Sequence, residues 1–265
     1  MTKRGKASYF AFSMDILILG AGYATRLYPL TLNQPKPLLP VGGKRMLEHV
    51  LDNMVGVGDV ENIIVVTNAK FTPHFEKWAE GYHQHHYPEA TFKVLNDHST
   101  DDSNKLGAIG DIHFVLKKEN LKNDLIVVAG DNLFDQSLAP FGAFCQKKNA
   151  PVLGVYDVGS VDIIRNKYGC ITSDAQGCIT SFEEKPEKPK STFVGIALYY
   201  YPASTLPLIE QYIAEGNNPD QPGRLIQWLY PRTPVYTWSV PGQWFDIGSK
   251  ETLEEADRIF SASKK

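Results

Sequence analysis

A glycine-containing loop follows the first apolar segment of the chain, and its composition could bind an anion. Residues 16–19 run directly into Gly20-Ala21-Gly22-Tyr23-Ala24-Thr25-Arg26. Glycine lets backbone N–H groups converge on phosphate oxygens without a Cβ in the way, and Arg26 adds a positive charge. A dinucleotide fingerprint does not fit, because the third glycine of that motif would fall at Thr25. A Walker loop does not fit either, because no Gly-Lys-Ser/Thr follows. The candidate phosphate-binding residues are Leu19, Gly20, Ala21, Gly22, Tyr23, Ala24 and Thr25, with Arg26 as a candidate catalytic residue.

A second cation and a carboxylate accompany this loop. Lys36 lies ten residues beyond Arg26, between Pro35 and Pro37, and these prolines stiffen the segment that carries its ammonium group. Asp131 follows the apolar run 125–128, which predicts a position at the carboxyl edge of a sheet, where a carboxylate can hold Mg²⁺.

The elements that must position these residues alternate between two kinds. The Ile-, Val- and Leu-rich runs 16–19, 63–66, 92–95 and 125–128 predict buried parallel strands. Helical spacing of apolar residues separates them at 46–54, 71–82 and 109–116, and a helix at 138–147 precedes a fifth strand at 151–158. Alternation of strands and helices predicts an α/β fold with an open, mainly parallel sheet flanked by helices.

The pattern changes after about residue 160. Two strand-like pieces flank the turn 174–177, and a β-rich run covers 192–201. Further helices at 203–215, 225–229 and 250–260 and a strand at 235–240 complete the chain. We expect antiparallel strands inserted over the sheet edge of a single domain at 14–265, preceded by an extension at 1–13.

Composition excludes several functional classes. Lys and Arg number 27 against 30 Asp and Glu, so the net charge of −3 provides no broad basic surface for nucleic acid. Without an apolar run of about 18 residues, no membrane span is expected. Three scattered cysteines do not form a disulfide framework, which favours a reducing, cytoplasmic location. The histidines around residues 83–86 are interpreted as a solvated helix end rather than a metal site.

Several motifs in combination identify the chain as a member of a known family. Leu106-Gly107-Ala108-Ile109-Gly110, Gly130-Asp131-Asn132, Phe182-Glu183-Glu184-Lys185-Pro186 and Trp244-Phe245-Asp246-Ile247-Gly248 accompany the phosphate loop. From about residue 14 to residue 260 the chain resembles the sugar-1-phosphate nucleotidylyltransferases. The resemblance implies a Rossmann-like nucleotide-diphospho-sugar transferase fold.

The resemblance also implies a reaction. A sugar 1-phosphate attacks the α-phosphorus of a nucleoside triphosphate and expels pyrophosphate, with catalysis by charge neutralisation and positioning. Asp131 and Asp246 would share one Mg²⁺, Arg26 would clamp the departing phosphates, and Lys36 would stabilise the α-phosphate.

Substrate-binding residues follow from the same motifs. Gly169, Glu184, Lys185 and Gly195 are expected at the sugar phosphate, with Lys185 gripping the phosphate and Glu184 the hydroxyls. Asn96 and Gly107 are expected at the base, for which the resemblance favours a pyrimidine. Ala24 stands where this family usually has glycine, and residues 194–197 differ from the family's usual sequence on the sugar side.

Alternative functions remain open at this stage. A cytidylyltransferase could act on a polyol or amino alcohol phosphate, and a sensing homologue could bind nucleotide sugars without chemistry. The presence together of Arg26, Lys36, Asp131, Lys185 and Asp246 argues against the sensor. The expected partners are a nucleoside triphosphate and a sugar 1-phosphate, and the chain could form a dimer or tetramer.

Overall fold

The computed structural model describes residues 13–82 and 87–262. Its strands are β1 (Ser13–Leu19), β2 (Pro40–Val41), β3 (Lys44–Arg45), β4 (Asp59–Thr67), β5 (Thr91–Asn96), β6 (Asp124–Ala129), β7 (Asn132–Phe134), β8 (Val152–Asp157), β9 (Cys170–Ser173), β10 (Ile179–Glu183), β11 (Phe193–Tyr201), β12 (Tyr236–Ser239) and β13 (Trp244–Asp246). Its α-helices are α1 (Met46–Asn53), α2 (Thr72–Gly81), α3 (Ala108–Glu119), α4 (Ala139–Lys148), α5 (Val161–Ile164), α6 (Leu206–Ala214), α7 (Pro222–Leu229) and α8 (Lys250–Ala262). Short 3₁₀ turns lie at Thr25–Leu27, Lys36–Leu38 and Ala203–Thr205.

The four apolar runs form the parallel part of the sheet, as predicted. β1 lies in the centre and pairs in parallel with β4 and β6, while β5 pairs in parallel with β4. Side chains on both faces of β1 are buried, which explains why its sequence is continuously apolar rather than alternating. The predicted α/β architecture is confirmed.

Helices cover both faces of this sheet. On one face, Ile16 and Ile18 of β1 pack in a cluster with Leu47 of α1 and Phe75 of α2. On the other face, Leu17 packs in a cluster with buried residues of α3, α6 and α7. Since successive residues of a strand point to opposite faces, one short strand anchors both layers of helices.

Antiparallel strands extend the sheet beyond β6. β11 pairs antiparallel with β6 and β8, and the hairpin β9–β10 follows, so the order is β10-β9-β11-β6-β1-β4-β5. The hairpin at residues 174–177 and the β-rich run are both confirmed.

Some elements had no sequence signal. The pair β2–β3 and the pair β7–β13 consist of two- and three-residue strands, too short to show an alternating pattern. Ser13 belongs to β1, although it was predicted as the last residue of an extension; residues 1–12 and the segment 83–86 lie outside the described residues. None of the described helices is both long enough and apolar enough to cross a membrane.

Candidate active site

A cleft of about 680 Å³ lies at the carboxyl ends of β1 and β6. In the sheet, β1 lies between β4 and β6. The chain continues from β1 to β4 on one side and returns to β6 on the other side, so the loops that follow β1 and β6 diverge. Such a switch in strand order leaves a crevice at the sheet edge, which is where open α/β sheets bind ligands.

The predicted phosphate loop lines this cleft throughout, from Leu19 to Leu27. Its start is fixed by the neighbouring strand, because Gly20 N donates to Val66 O at 2.9 Å and Asn68 Nδ2 donates to Ala21 O at 2.8 Å. Ala24 adopts a left-handed backbone conformation with φ of 47°, and its carbonyl accepts from Thr31 Oγ1 at 2.7 Å. The loop is therefore fixed by the backbone of Val66 and by the side chains of Asn68 and Thr31, all of which lie outside it.

Lys36 and Asp131 meet within the cleft. Lys36 Nζ lies 2.7 Å from Asp131 Oδ2, and both residues line the cleft beside the exposed Arg26. The 3₁₀ turn Lys36–Leu38 carries the lysine, and Gly130 packs closely against Pro37, which holds the two segments together. The carboxylate compensates the charge of the half-buried ammonium group.

Asp246 reaches the same cleft through the short strand pair. β13 places Asp246 opposite Asn132, the residue that follows Asp131. Trp244 Nε1 donates to Asn132 Oδ1 at 2.9 Å, and Tyr168 OH donates to Asp246 Oδ2 at 2.7 Å. Burial, followed by the hydrogen bond to Asp246, raises the pKa of Tyr168, so the phenol remains a donor to this carboxylate.

This carboxylate pair has the donor chemistry of a magnesium site. Mg²⁺ is commonly held by one or two carboxylates, with substrate phosphates and water completing its coordination. Within residues 13–82 and 87–262, no group of three or more metal-ligating side chains is present. Asp131 and Asp246 thus fit a cation that arrives with a phosphate ligand.

The opposite end of the cleft is acidic. Asp97 and Asp111 line it and are each only 5% exposed. Burial, then repulsion from Asp97, raises the pKa of Asp111 to about 8. Gly107, at the start of α3, has φ of +80° and leaves no room for a Cβ, which would lie 2.6 Å from Asp220 Cα. Glycine is therefore required where this end of the cleft contacts the 219–220 segment.

The predicted sugar-binding residues form a cluster beside the cleft. Gly195 N donates to Gly169 O at 3.1 Å, and a Cβ at Gly169 would lie 3.3 Å from Glu184 Oε2. Burial raises the pKa of Glu184, against the opposing influence of Lys185 and Arg224. The structure therefore brings together Gly169, Glu184 and Gly195, which are distant in sequence.

Two predicted residues are less closely associated with the cleft. Asn96 does not line it, and its Oδ1 accepts from His98 N at 2.8 Å. Lys185 is exposed and lies outside the cleft lining, whereas Lys167 lines it beside Asp131 and Asp246.

Several residues of the site were not predicted from the sequence. Lys167 and Tyr168 lie directly before Gly169 and are brought to Asp246 by the fold. Asp97 is adjacent to the predicted Asn96, and Asp111 lies in the first turn of α3. The clue for Asp111 was its position one residue after the motif loop, on the buried face of a helix.

Comparison with known proteins agrees with the geometry. The family model described as nucleotidyl transferase matches residues 16–262. The chain belongs to the nucleotidyl transferase family. The match covers both ends of the cleft, including Asp131, Glu184 and Asp246.

Individual relatives of this nucleotidyl transferase are distant. The chain is 26% identical over 245 residues to the bifunctional protein GlmU of Methanocaldococcus jannaschii, covering 92% of this chain and 54% of the relative. It is 28% identical over 258 residues to a glucose-1-phosphate adenylyltransferase of Clostridium novyi, covering 92% and 66%. The chain thus spans about half the length of the first of these curated relatives.

A solved structure shows the same fold. UDP-glucose pyrophosphorylase in complex with UDP-glucose superposes with a TM-score of 0.79 at 19% identity, covering 95% of this chain and 99% of that one. At this identity the similarity establishes the architecture of the nucleotidyl transferase and not its substrates.

Proposed function

We propose that this chain transfers a nucleotidyl group from a nucleoside triphosphate to a sugar 1-phosphate, with Mg²⁺, giving a nucleotide sugar and pyrophosphate. The observation that carries the proposal is the convergence of Arg26, Lys36, Asp131 and Asp246 on one cleft beside a glycine-containing loop. Both substrates are anions, and these four residues supply two cations and two carboxylates that could bind a metal ion.

The reaction forms one bond and breaks another at the same phosphorus. A phosphate oxygen of the sugar 1-phosphate bonds to the α-phosphorus, and the bond from this phosphorus to the oxygen bridging towards the β-phosphate breaks. The electron pair leaves with pyrophosphate. Because no protein nucleophile is needed, catalysis consists of positioning and charge stabilisation.

Lys36 has a specific part in this account. Its ammonium group contacts Asp131 at 2.7 Å, and an incoming α-phosphate would compete for the same group. The exposed Arg26 is placed to pair with the phosphates that leave, since its planar guanidinium can donate two hydrogen bonds to one phosphate. The loop 20–25 brings backbone N–H groups to the same end of the cleft.

A bound divalent cation would neutralise part of the phosphate charge between Asp131 and Asp246. The hydrogen bond from Tyr168 fixes one oxygen of Asp246, and the strand pair β7–β13 fixes its backbone. This chain therefore provides carboxylates whose positions are set before any ligand arrives.

The sugar is proposed to lie against the cluster beside the cleft. Gly195 and Ala197 are two residues apart on β11, so they face the same side of the sheet, and Ala197 lines the cleft. Glu184 would accept hydrogen bonds from sugar hydroxyls, and Lys185 would contact the sugar phosphate, with Lys167 as a second cation close by.

A substrate matrix tests the proposed function. Five nucleoside triphosphates are combined with sugar 1-phosphates and with polyol and amino alcohol phosphates, and phosphate is measured after pyrophosphatase treatment. We expect turnover with at least one sugar 1-phosphate, dependent on Mg²⁺. Turnover only with polyol or amino alcohol phosphates would contradict the proposal, as would nucleotide binding without turnover in any combination.

A further inference from the structure

The contact between Lys36 and Asp131 uses a carboxylate that a divalent cation would need. Both residues lie at the phosphate end of the cleft, which is lined by residues 19–27, Lys36, Asp131 and Asp246. Lys36 Nζ lies 2.7 Å from Asp131 Oδ2. Because a carboxylate oxygen binds Mg²⁺ at about 2.0–2.1 Å, an ammonium group on the same carboxylate would stand close to the cation. Two positive charges at such a short distance repel each other, and more strongly in a partly buried site than in water.

The backbone keeps the ammonium group at this end of the cleft. Lys36 begins a 3₁₀ turn and has Pro35 and Pro37 on either side. A Cβ at Gly130 would lie 3.1 Å from Pro37 Cβ, so the turn packs closely against the residue before Asp131. Lys36 can therefore leave Asp131 by rotating its own side chain, but its ammonium group stays near the carboxylate.

An ammonium group that leaves Asp131 needs another anion. The side chain of Lys36 is only 13% exposed, so water alone compensates its charge poorly. Asp246, the other carboxylate of the phosphate end, is the proposed second ligand of the cation, and Asp97 and Asp111 line the opposite end. A phosphate group that enters with the cation is therefore the partner that best replaces Asp131.

We propose that Lys36 competes with a divalent cation for Asp131, so that the cation binds weakly alone and well only with a triphosphate that takes the ammonium group. The inference rests on the proposed function, because it uses the same carboxylate and the same phosphate. It adds that Lys36 acts before the chemistry, by closing Asp131 to a cation that arrives without phosphate. Loss of either partner should then improve binding of the ligand that the other partner contacts.

Binding of Mn²⁺ without nucleotide tests the first effect. Mn²⁺ prefers the same oxygen ligands as Mg²⁺, and electron paramagnetic resonance measures its free concentration directly. Coupling between sites is typically about fivefold or more, so full-length Lys36→Met should bind Mn²⁺ at least about fivefold more tightly than wild type. Equal or weaker binding by the folded variant would overturn the inference.

A charge control separates this contact from the general potential of the cleft. Arg26→Met also removes one positive charge from the phosphate end, but Arg26 is exposed and it is Lys36 that contacts Asp131. Its gain in Mn²⁺ binding should be smaller, because exposed charges interact weakly. An equal gain in Arg26→Met and Lys36→Met would overturn the inference.

Two further variants make the assignment secure. Lys36→Gln covers the case in which Lys36→Met does not fold, because glutamine also removes the charge and remains polar; the same gain is expected, and its absence would overturn the inference. The gain should disappear when Asp131→Asn is combined with Lys36→Met, since the two residues are in contact. A gain that persists in the double variant would show that Lys36 does not act through Asp131, which would also overturn the inference.

Metal-free binding of inorganic tripolyphosphate tests the second effect without the choice of a base. In EDTA, Asp131→Asn should bind tripolyphosphate at least about fivefold more tightly than wild type by calorimetry, because Lys36 is released. Asp246→Asn is the matched control, since it removes the same charge from the same end but Asp246 accepts from Tyr168 OH. Equal gains in the two variants, or no gain in Asp131→Asn, would overturn the inference.

Failure of the inference is distinguishable from failure of the proposed function. If wild type shows Mg²⁺-dependent transfer in the substrate matrix but Lys36→Met gains no affinity for Mn²⁺, the inference is overturned and the proposed function stands. If wild type gives no turnover, and neither wild type nor any variant binds Mn²⁺ or tripolyphosphate, both are overturned.

Discussion

The two ends of the cleft differ in how their charges are accommodated. At the phosphate end, Lys36 and Asp131 pair at 2.7 Å, and the side chain of Asp131 remains 32% exposed. At the acidic end, Asp97 and Asp111 are both almost fully buried, and Asp111 Oδ1 has no hydrogen-bond partner within residues 13–82 and 87–262. Burying two neighbouring carboxyl groups is costly unless one of them holds a proton.

The two ends of the cleft therefore differ in charge compensation before any ligand binds. At the phosphate end, Lys36 and Asp131 compensate each other's charge before a ligand binds, so a phosphate that approaches Lys36 must compete with Asp131. The acidic end instead holds two buried carboxyl groups that interact with each other, and Asp111 Oδ1 is closed off from solvent. We infer that the phosphate end supports the chemistry.

The largest expected effect is at the phosphate end. Asp246→Ala removes one of the two carboxylates that would hold Mg²⁺, and stabilisation by a catalytic metal is worth several kcal/mol, or about a thousandfold or more in rate. Mg²⁺-dependent kcat should fall by that factor, while circular dichroism stays unchanged. Asp162→Asn serves as control, because Asp162 is exposed and pairs with Arg165 outside the cleft. Near-normal turnover of Asp246→Ala would remove the metal assignment.

The next effect distinguishes two lysines near the sugar cluster. Losing a charged contact that is buried in a complex costs about 2–5 kcal/mol, so Lys185→Ala should reduce kcat/KM for the sugar phosphate by roughly thirtyfold to several thousandfold. The exposed Lys188, three residues further on, provides the control Lys188→Ala. If Lys185→Ala leaves sugar-phosphate kinetics unchanged and Lys167→Ala reduces them, the contact belongs to Lys167.

A smaller effect at the acidic end concerns stability. Because burial and Asp97 raise the pKa of Asp111 to about 8, the folded state holds a proton that the unfolded state releases near pH 4. Stability should therefore decrease as pH rises from about 4 to about 8, by at most about 1.4 kcal/mol per pH unit from this group.

Urea unfolding across this pH range measures the contribution. Asp111→Asn removes the titration, so the difference in unfolding free energy between variant and wild type should grow in favour of the variant as pH rises. A difference that is constant between pH 4 and pH 8 would show that Asp111 titrates normally, and the contrast between the two ends would lose its electrostatic basis.

The smallest effect concerns the backbone of the phosphate loop. Ala24 has φ of 47°, and a left-handed conformation costs a residue with a Cβ about 1–2 kcal/mol. Glycine adopts it freely but loses more entropy on folding, so Ala24→Gly should raise the unfolding free energy by about 1 kcal/mol or less. Lower stability of the variant in urea unfolding would show that the alanine is not strained.

Sequence patterns predicted most of the fold and the phosphate end. The parallel strands were evident because each of β1, β4 and β6 contains a stretch that is buried on both faces. The sequence of that stretch is therefore continuously apolar. Arg26, Lys36 and Asp131 were found because each lies beside a strand end or between prolines. The strand pair β7–β13, which carries Asp246 to the cleft, depends on a pairing between residues more than a hundred positions apart.

The acidic end was not predictable in the same way. Asp97 and Asp111 meet because the fold brings the residue after β5 against the first turn of α3, and an aspartate at either position has the pattern of a turn or a helix cap. The role expected for Asn96 stays a prediction, since its side chain caps the turn at His98.

The most direct test of nucleotidyl transfer follows the α-phosphate. The chain is incubated with Mg²⁺, a sugar 1-phosphate and a nucleoside triphosphate labelled at the α-phosphorus, and the labelled products are separated by chromatography. We predict that the label appears in a nucleotide sugar only when the sugar 1-phosphate is present, with unlabelled pyrophosphate released. Label recovered as nucleoside monophosphate, or remaining wholly in the triphosphate with every base and sugar phosphate tried, would contradict this account.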